Sequence, residues 1–161
     1  LWRIPVMDGE FICEEKTARV PAIGGGNFLI LSKNRNSCLA ACEIAIKVMS
    51  KLDNIITPFP GGVVRSGSKV GSKYKALIAS TNDAFCPSLK GITGSKLNSK
   101  ISAVMEIVIN GLTKEDIDLA IKKSLIAISK SVYKKDIVSV SAGNYGGKLG
   151  KYHFHLRDIL K

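Results

Sequence analysis

The sequence lacks long apolar runs and paired cysteines. Its uninterrupted apolar stretches are only a few residues long, far short of the roughly 20 that a membrane-spanning helix needs. Its cysteines show no CxxC spacing of the kind that structural zinc sites use. We therefore expect a soluble, cytoplasmic protein that binds no metal and uses its cysteines as small buried residues. These cysteines are Cys13, Cys38, Cys42 and Cys86.

Acidic and aromatic residues are also scarce. The chain has 13 acidic residues against 24 basic ones, a net charge of +11, and aromatic residues make up 6% of it. Most of the basic residues are lysines spread along the whole chain, whereas nucleic-acid modules more often cluster arginine and interleave exposed aromatics. We therefore expect a solvated basic surface and neither a nucleic-acid partner nor a membrane, with a basic RNA-binding domain as an alternative.

The composition suffices for one folded unit. Hydrophobic residues make up 45% of the 161 residues, which is enough for a core of ordinary domain size. The chain starts with Leu1 instead of methionine, and residues 1–6 already resemble the middle of a strand. We therefore expect residues 1–161 to be a single lobe of a longer protein.

Hydrophobic periodicity and turn residues predict an α+β fold. From residue 27 onward the order is strand, helix, strand, strand, helix, strand, followed by a final hairpin strand. That order is the ferredoxin-like, split βαβ arrangement, an antiparallel sheet with helices on one face. The predicted elements are an N-terminal hairpin turning at Asp8-Gly9; strands at 27–31, 55–57, 101–109, 137–142 and 152–156; a helix over 39–52 capped by Asn36 or Ser37; and a helix that begins with a capping box at Thr113 and Asp116.

Two glycine-containing segments break this pattern. The long insertion at 58–97 is rich in Gly and Ser and holds three of the five prolines, and we expect it to be functional and folded back on the domain. In it, residues 58–62 form a corner with backbone N–H groups, residues 66–73 offer hydroxyls and lysines for an anion, and residues 80–83 offer short polar side chains. The second segment, 141–150, has more glycines than a hairpin needs. A plain turn or a solvated loop remains the alternative for each.

Glu106 interrupts an otherwise apolar strand. Strand alternation places it on one face with Val104 and Val108, so we expect its carboxyl to be at least partly buried. Burial favours the neutral form of a carboxyl, and a neutral acid can donate a hydrogen bond to a developing oxyanion. A salt bridge to a nearby lysine or to Arg65 is the structural alternative. We take Glu106 as the candidate catalytic residue.

The order of these segments resembles the C-terminal, distal lobe of archaeal formylmethanofuran:tetrahydromethanopterin formyltransferases. The similarity runs along the whole chain. Several of the strings are unusual and contain glycine, which argues against chance agreement. The strings are WRIPVMDGEFI (2–12), GGNF (25–28), TPFPGGVV (57–64), SKVGSK (68–73), ASTNDAFCP (79–87), EIVINGL (106–112) and SAGNYGGKLG (141–150).

The resemblance implies an acyltransferase of one-carbon metabolism and methanogenesis. A formyl group would pass from the amine of methanofuran to N5 of tetrahydromethanopterin, and both coenzymes would be cosubstrates, with no tightly bound cofactor. It also implies an N-terminal lobe that is absent from this chain, a homotetramer, and a cleft where lobes and subunits meet. A non-catalytic pterin-binding or assembly paralogue is the alternative.

The same resemblance implies roles for individual residues. Glu106 would polarise the formyl oxygen, and the incoming amine would be the nucleophile, so no Ser-His-Asp or Cys-His group is needed. We assign no role to His153 and His155. The lysine-bearing loop suits the anionic tails of both cosubstrates. The expected substrate-binding residues are Pro60, Gly61, Gly62, Ser68, Lys69, Ser72, Lys73, Ser80, Thr81, Asn82, Asn144 and Lys148.

Overall fold

The computed structural model describes residues 1–66, 83–92, 94–144 and 150–161. Within these ranges the chain forms three α-helices and two antiparallel sheets, which confirms the α+β class. None of the described helices is long and apolar enough to cross a membrane. The elements are β1 (Trp2–Val6), β2 (Gly9–Cys13), β3 (Ile23–Ser32), α1 (Arg35–Met49), β4 (Ile55–Ile56), β5 (Val64–Arg65), β6 (Ala103–Gly111), α2 (Lys114–Lys130), β7 (Ile137–Ala142) and α3 (Leu156–Ile159).

The larger sheet forms the framework of the domain. Its strand order is β4-β6-β3-β7, and the short β5 also pairs with β6. The helices α1 and α2 pack on one face, where Phe28, Ile107 and Ile121 are among the fully buried side chains. Burying a side chain of this size contributes roughly 1.5–3 kcal/mol. β1 and β2 pair separately as the predicted N-terminal hairpin.

The opposite face of the sheet carries a smaller apolar cluster and the polar residues of the candidate site. Leu29 and Val104 belong to this cluster, and Phe85 from the insertion packs against it. Alternation along β6 therefore directs Ile107 to the helices and Glu106 to the opposite face, as predicted. The insertion is folded back on the domain at Phe85, as the sequence also predicts.

The first helix begins a turn earlier than predicted. The Oδ1 atom of Asn34 accepts a hydrogen bond from the N–H of Ser37 at 2.8 Å, so Asn34 is the N-cap in place of Asn36 or Ser37. Ser37 is buried, and its hydroxyl donates to a carboxylate oxygen of Asp136 at 2.6 Å. That hydrogen bond lowers the pKa of the Asp136 carboxyl. The Ser37 hydroxyl is thus bonded to a residue 99 positions later in the chain.

The predicted final strand at 152–156 is wrong. The side chain of Asn144 bonds both backbone groups of Phe154: its Nδ2 donates to the Phe154 carbonyl and its Oδ1 accepts from the Phe154 N–H, each at 2.9 Å. Phe154 then buries its ring in the core, and the chain continues into α3. A side-chain amide therefore provides the hydrogen bonds that strand pairing would have supplied.

Two of the cysteines lie one turn apart inside α1. Cys38 and Cys42 are fully buried, which confirms their interpretation as small core residues. The hydrogen bond that Cys42 shares with Cys38, and then its burial, raise the pKa of the Cys42 thiol. Cys86 is also buried, whereas Cys13 in β2 is partly exposed. All four are free thiols.

The second helix begins with the predicted capping box. The Oγ1 atom of Thr113 accepts from the N–H of Asp116 at 3.1 Å, and the Asp116 carboxylate accepts from the N–H of Thr113 at 3.1 Å. Both bonds satisfy backbone donors that lack a partner within the helix. They fix the start of α2 directly after β6.

Replacing Thr113 with alanine should lower the free energy of unfolding by about 1 kcal/mol, because the N-cap acceptor is lost. Thr113→Ser keeps that acceptor and should retain most of the stability. Denaturant titration of both variants measures the difference. Equal losses in the two variants would contradict the assignment of the stabilisation to the cap hydrogen bond.

Candidate active site

Glu106 lies in the middle of β6 on the sheet face away from the helices. It is 7% exposed, which confirms the predicted burial. Leu29 stands opposite it in the register with β3, and Val64 stands opposite it in the register with β5. Apolar residues therefore flank this carboxyl on both neighbouring strands. Its Oε1 atom accepts a hydrogen bond from the Nδ2 group of Asn27.

Asn27 is the second buried polar residue at this place. It is 6% exposed and lies on β3, opposite Val108 of β6. Its Nδ2 group donates to Glu106, while its Oδ1 atom accepts from the backbone N–H of Gly143 at 3.1 Å. One side chain therefore connects β3, β6 and the segment that follows β7. The sequence analysis missed Asn27, although an amide beside a buried apolar run needs hydrogen-bond partners and is a usable signal.

Position 143 requires glycine because there is no room for a side chain there. A Cβ atom there would lie 2.5 Å from Nδ2 and 2.6 Å from Oδ1 of Asn27, well inside contact distance. The amide of Asn27 occupies the volume that any larger residue at 143 would need. The close backbone approach predicted for the segment 141–150 is thus an approach to Asn27, and it is the absence of a side chain that permits it.

A cavity of about 310 Å³ opens beside Glu106. Three aromatic rings and several glycines form much of its wall, and Glu106 is the acidic residue among the described lining. A cleft lined by aromatic side chains together with several polar groups can hold a small molecule. The lining residues are Gly24, Gly25, Asn27, Phe59, Glu106, Val108, Gly143, Asn144, Gly150, Tyr152 and Phe154.

Among the predicted substrate-binding residues, Asn144 lines this cavity. Its amide is already bonded to the backbone of Phe154 by both the oxygen and the nitrogen. It therefore holds one wall of the cavity in place. Two donor or acceptor positions of an amide remain available after such bonding, so contact with a ligand is compatible with this role.

The predicted corner at Pro60–Gly62 is a tight turn next to the cavity. The N–H of Gly62 donates to the carbonyl of Phe59 at 2.8 Å, and Gly61 adopts φ 67°, which favours glycine. Gly62 is buried, and an added Cβ would lie 2.8 Å from Ile46 of α1. The turn itself does not line the cavity, but it positions Phe59, which does.

The other predicted binding residues lie outside the described ranges. They are Ser68, Lys69, Ser72, Lys73, Ser80, Thr81, Asn82 and Lys148. Their roles stay predictions from the sequence.

In the part of the chain that the structure describes, there is no metal-binding group, and no histidine lines the cavity. No group of three or more His, Cys, Asp or Glu side chains there could hold a metal ion. His153 and His155 have ring centroids 6.4 Å apart, and neither lines the cavity beside Glu106. Among the described lining, the polar side chains are those of Asn27, Glu106, Asn144 and Tyr152.

Replacing Gly143 with alanine should displace the side chain of Asn27 and destabilise the domain by about 1–3 kcal/mol, as overpacking does in a filled interior. The side-chain amide resonances of Asn27 should shift with it, which NMR of the variant measures. The matched control is Gly94→Ala, because an added Cβ at Gly94 meets nothing within 4 Å. Unchanged Asn27 resonances in Gly143→Ala would contradict this prediction, because the added Cβ would then be accommodated without moving Asn27.

Comparison with known proteins gives a match to one family over nearly the whole chain. The family model described as "FTR, proximal lobe" matches residues 9–159. The family resemblance of the sequence is therefore confirmed. The predicted label of distal lobe is not supported, because the matching model is that of the proximal lobe.

Relatives from different organisms agree with this match. The formylmethanofuran–tetrahydromethanopterin formyltransferase of Methylobacillus flagellatus is 63% identical over 159 residues, covering 99% of this chain and 53% of that protein. Because this relative is bacterial, the similarity does not confirm the predicted archaeal origin.

Solved structures give the same result. The formyltransferase/hydrolase complex of Methylorubrum extorquens, solved with methylofuran, contains a chain with a TM-score of 0.79 and 48% identity, over 99% of this chain and 52% of that one. The formyltransferase of Methanosarcina barkeri gives a TM-score of 0.78 and 44% identity, over 98% of this chain and 52% of that one. The chain thus spans about half the length of the relatives it matches. On the family match and these identities, it belongs to the formylmethanofuran–tetrahydromethanopterin formyltransferase family.

Proposed function

We propose that this chain is the proximal lobe of an enzyme that transfers a formyl group from formylmethanofuran to N5 of tetrahydromethanopterin. The observation that carries the proposal is the buried Glu106 carboxyl, which lies in the wall of a cavity and is held by Asn27. Relatives at 63% and 44% identity bear the name of this activity, which supports the choice of reaction.

Formyl transfer between two amines calls for an acid and needs no protein nucleophile. The lone pair of N5 attacks the formyl carbon, a C–N bond forms, and the electrons of the C=O π bond move onto the oxygen. Collapse of this intermediate restores the C=O bond and breaks the C–N bond to methanofuran, which leaves as its amine with the proton that N5 gives up. The developing oxyanion is the charge that the site must stabilise.

Glu106 is the proposed donor to this oxyanion. A carboxylic acid in its neutral form can donate its O–H to the formyl oxygen of a bound substrate. Its position in the cavity wall gives it access to a small ligand. The donor lies on a strand inside a sheet, which limits its motion and preorganises it for the intermediate.

We assign the anionic tails of the two cosubstrates to the lysine-bearing segments. The segment with Lys69 and Lys73 follows β5, whose residue Val64 pairs with Glu106. The segment with Lys148 follows Asn144, which lines the cavity. One segment thus follows a strand that pairs with the strand of Glu106, and the other follows a residue of the cavity wall, which supports a ligand that reaches both. We propose that residues 80–82 and the hydroxyls of Ser68 and Ser72 also contact these cosubstrates.

The proposed enzyme is larger than this chain. We expect an N-terminal lobe, a homotetramer in the cytoplasm, and no tightly bound cofactor. An apolar surface on the N-terminal hairpin, where Trp2 and Phe11 are each 59% exposed, supports a contact with another lobe or subunit. The strand order β4-β6-β3-β7, with α1 and α2 as the crossing helices, supports a ferredoxin-like lobe.

The test measures formyl transfer by this chain alone and by a longer protein in which the proposed N-terminal lobe precedes it. Activity in the longer protein only would support the proposed lobe organisation. In that protein, Glu106→Leu should lower kcat by roughly 100- to 1,000-fold, because it removes a preorganised donor. Glu106→Gln keeps an N–H donor and should lose less. If Glu106 acted as a charged base, glutamine would be as damaging as leucine.

The matched control is Glu43→Gln, the same change at an exposed position on α1. It should leave kcat and KM unaltered. A longer protein that folds and binds tetrahydromethanopterin without turnover would favour the alternative of a non-catalytic paralogue. Full activity in Glu106→Leu would refute the role of Glu106 while leaving the family assignment intact.

A further inference from the structure

We infer that a second cavity, between β5, β6 and the start of α1, binds a small molecule through a phosphate or carboxylate group. The cavity measures about 470 Å³, and both Arg35 and Arg65 are in its lining. It shares no described lining residue with the cavity beside Glu106. This site is therefore separate from the one proposed for formyl transfer.

The two arginines come to this cavity from different elements. Arg65 lies on β5 opposite Met105 of β6, and Met105 belongs to the core cluster on the helix side of the sheet. Because paired residues of neighbouring strands point to the same face, Arg65 lies on the helix side and Glu106 on the other. Arg35 is the first residue of α1, which packs on that helix side. The fold thus brings two guanidinium groups to one cavity.

Neither arginine has a carboxylate partner within the described chain. The ion pairs there join other residues, and the first turn of α1 holds no acidic residue. The described lining of the cavity is likewise without an acidic side chain. Asp136 reaches the start of α1, but it accepts from Ser37 and is not in the lining. Two like charges at one cavity repel each other, and a bound anion would relieve that repulsion.

The guanidinium groups are the donors that remain for a ligand. Ser66 and Ser102 also line the cavity, but the Ser66 hydroxyl donates to the carbonyl of Phe85 at 2.7 Å, and that of Ser102 donates to the carbonyl of Lys33. The side-chain hydrogen bonds of the described chain include neither Arg35 nor Arg65. A guanidinium presents a planar fork of N–H donors that matches two oxygens of a carboxylate or phosphate. This match sets the class of ligand.

The rest of the lining suits the body of a small organic anion. Pro87, Val104 and Met105 contribute apolar surface beside the two charged groups. Small-molecule sites have volumes of roughly 300–1,000 Å³ and combine apolar walls with a few polar groups. The cavity has that size and that composition, so we expect an organic phosphate or a polycarboxylate.

The test is calorimetric titration of the longer protein, in which the proposed N-terminal lobe precedes this chain. The probes are inorganic pyrophosphate and, separately, citrate, one for each class of oxyanion. Wild-type protein should bind at least one of them. Arg35→Gln and Arg65→Gln should each raise the Kd for that probe about 10-fold, because each variant lacks one charge-assisted contact. The tighter probe identifies phosphate or carboxylate as the recognised group.

The matched control is Arg19→Gln, which removes the same charge from an exposed arginine outside the described lining. It should leave the Kd unchanged. An equal loss of affinity in Arg19→Gln would mean that the probes respond only to the overall positive charge of the protein, which overturns the inference. A wild-type protein that binds neither probe overturns it as well.

Thermal unfolding distinguishes a ligand site from a structural role of the two arginines. Without polyvalent anions, Arg35→Gln and Arg65→Gln should unfold at the wild-type temperature, because neither arginine makes a hydrogen bond or ion pair within the described chain. The tighter probe should raise the unfolding temperature of wild type and of Arg19→Gln but not that of the double variant. If either single variant unfolds at a lower temperature without any anion, that arginine supports the fold and the inference is overturned.

Discussion

The candidate site depends on the antiparallel register between β3 and β6. That register sets Leu29 opposite Glu106 and Asn27 opposite Val108, which puts the amide and the carboxyl on the same face within hydrogen-bonding reach. Side chains alternate along a strand, so a slip of one residue would turn the carboxyl toward the helices and into the apolar core. The burial of Phe28 and Ile107 on the helix side opposes that slip. The core therefore fixes the geometry of the polar pair on the other face.

A third strand completes the arrangement. β7 pairs with the other edge of β3 and ends at Ala142, so the next residue, Gly143, presents its N–H to Asn27. Asn144 then bonds the backbone of Phe154 and brings the last segment of the chain against the cavity. Each of these polar contacts is part-buried or buried, and the partners lie 10 to 116 residues apart in sequence. Loss of one partner would leave the other unsatisfied, which is why the network favours a single conformation.

Short-range sequence patterns predicted part of the fold and of the candidate site. They did not predict the contacts that side chains make with other segments of the chain. The alternation along β6 reveals the face of Glu106, and the capping box at Thr113 reveals the start of α2, because both patterns lie within a few residues. Asn27 gave no comparable local pattern: its role depends on partners 79 and 116 residues away. The strand predicted at 152–156 failed for a related reason, since Asn144 supplies by a side chain the hydrogen bonds that the sequence pattern attributes to a neighbouring strand.

The choice of an amide at position 27 is itself informative about the chemistry. A lysine or arginine there could also donate to Glu106, but it would place a positive charge beside the carboxyl. An aspartate or glutamate would place a second carboxyl beside Glu106. Asparagine supplies a donor without adding charge, and its own orientation is set by the main chain at Gly143. Asparagine at this buried position therefore donates to the Glu106 carboxyl without placing a formal charge beside it.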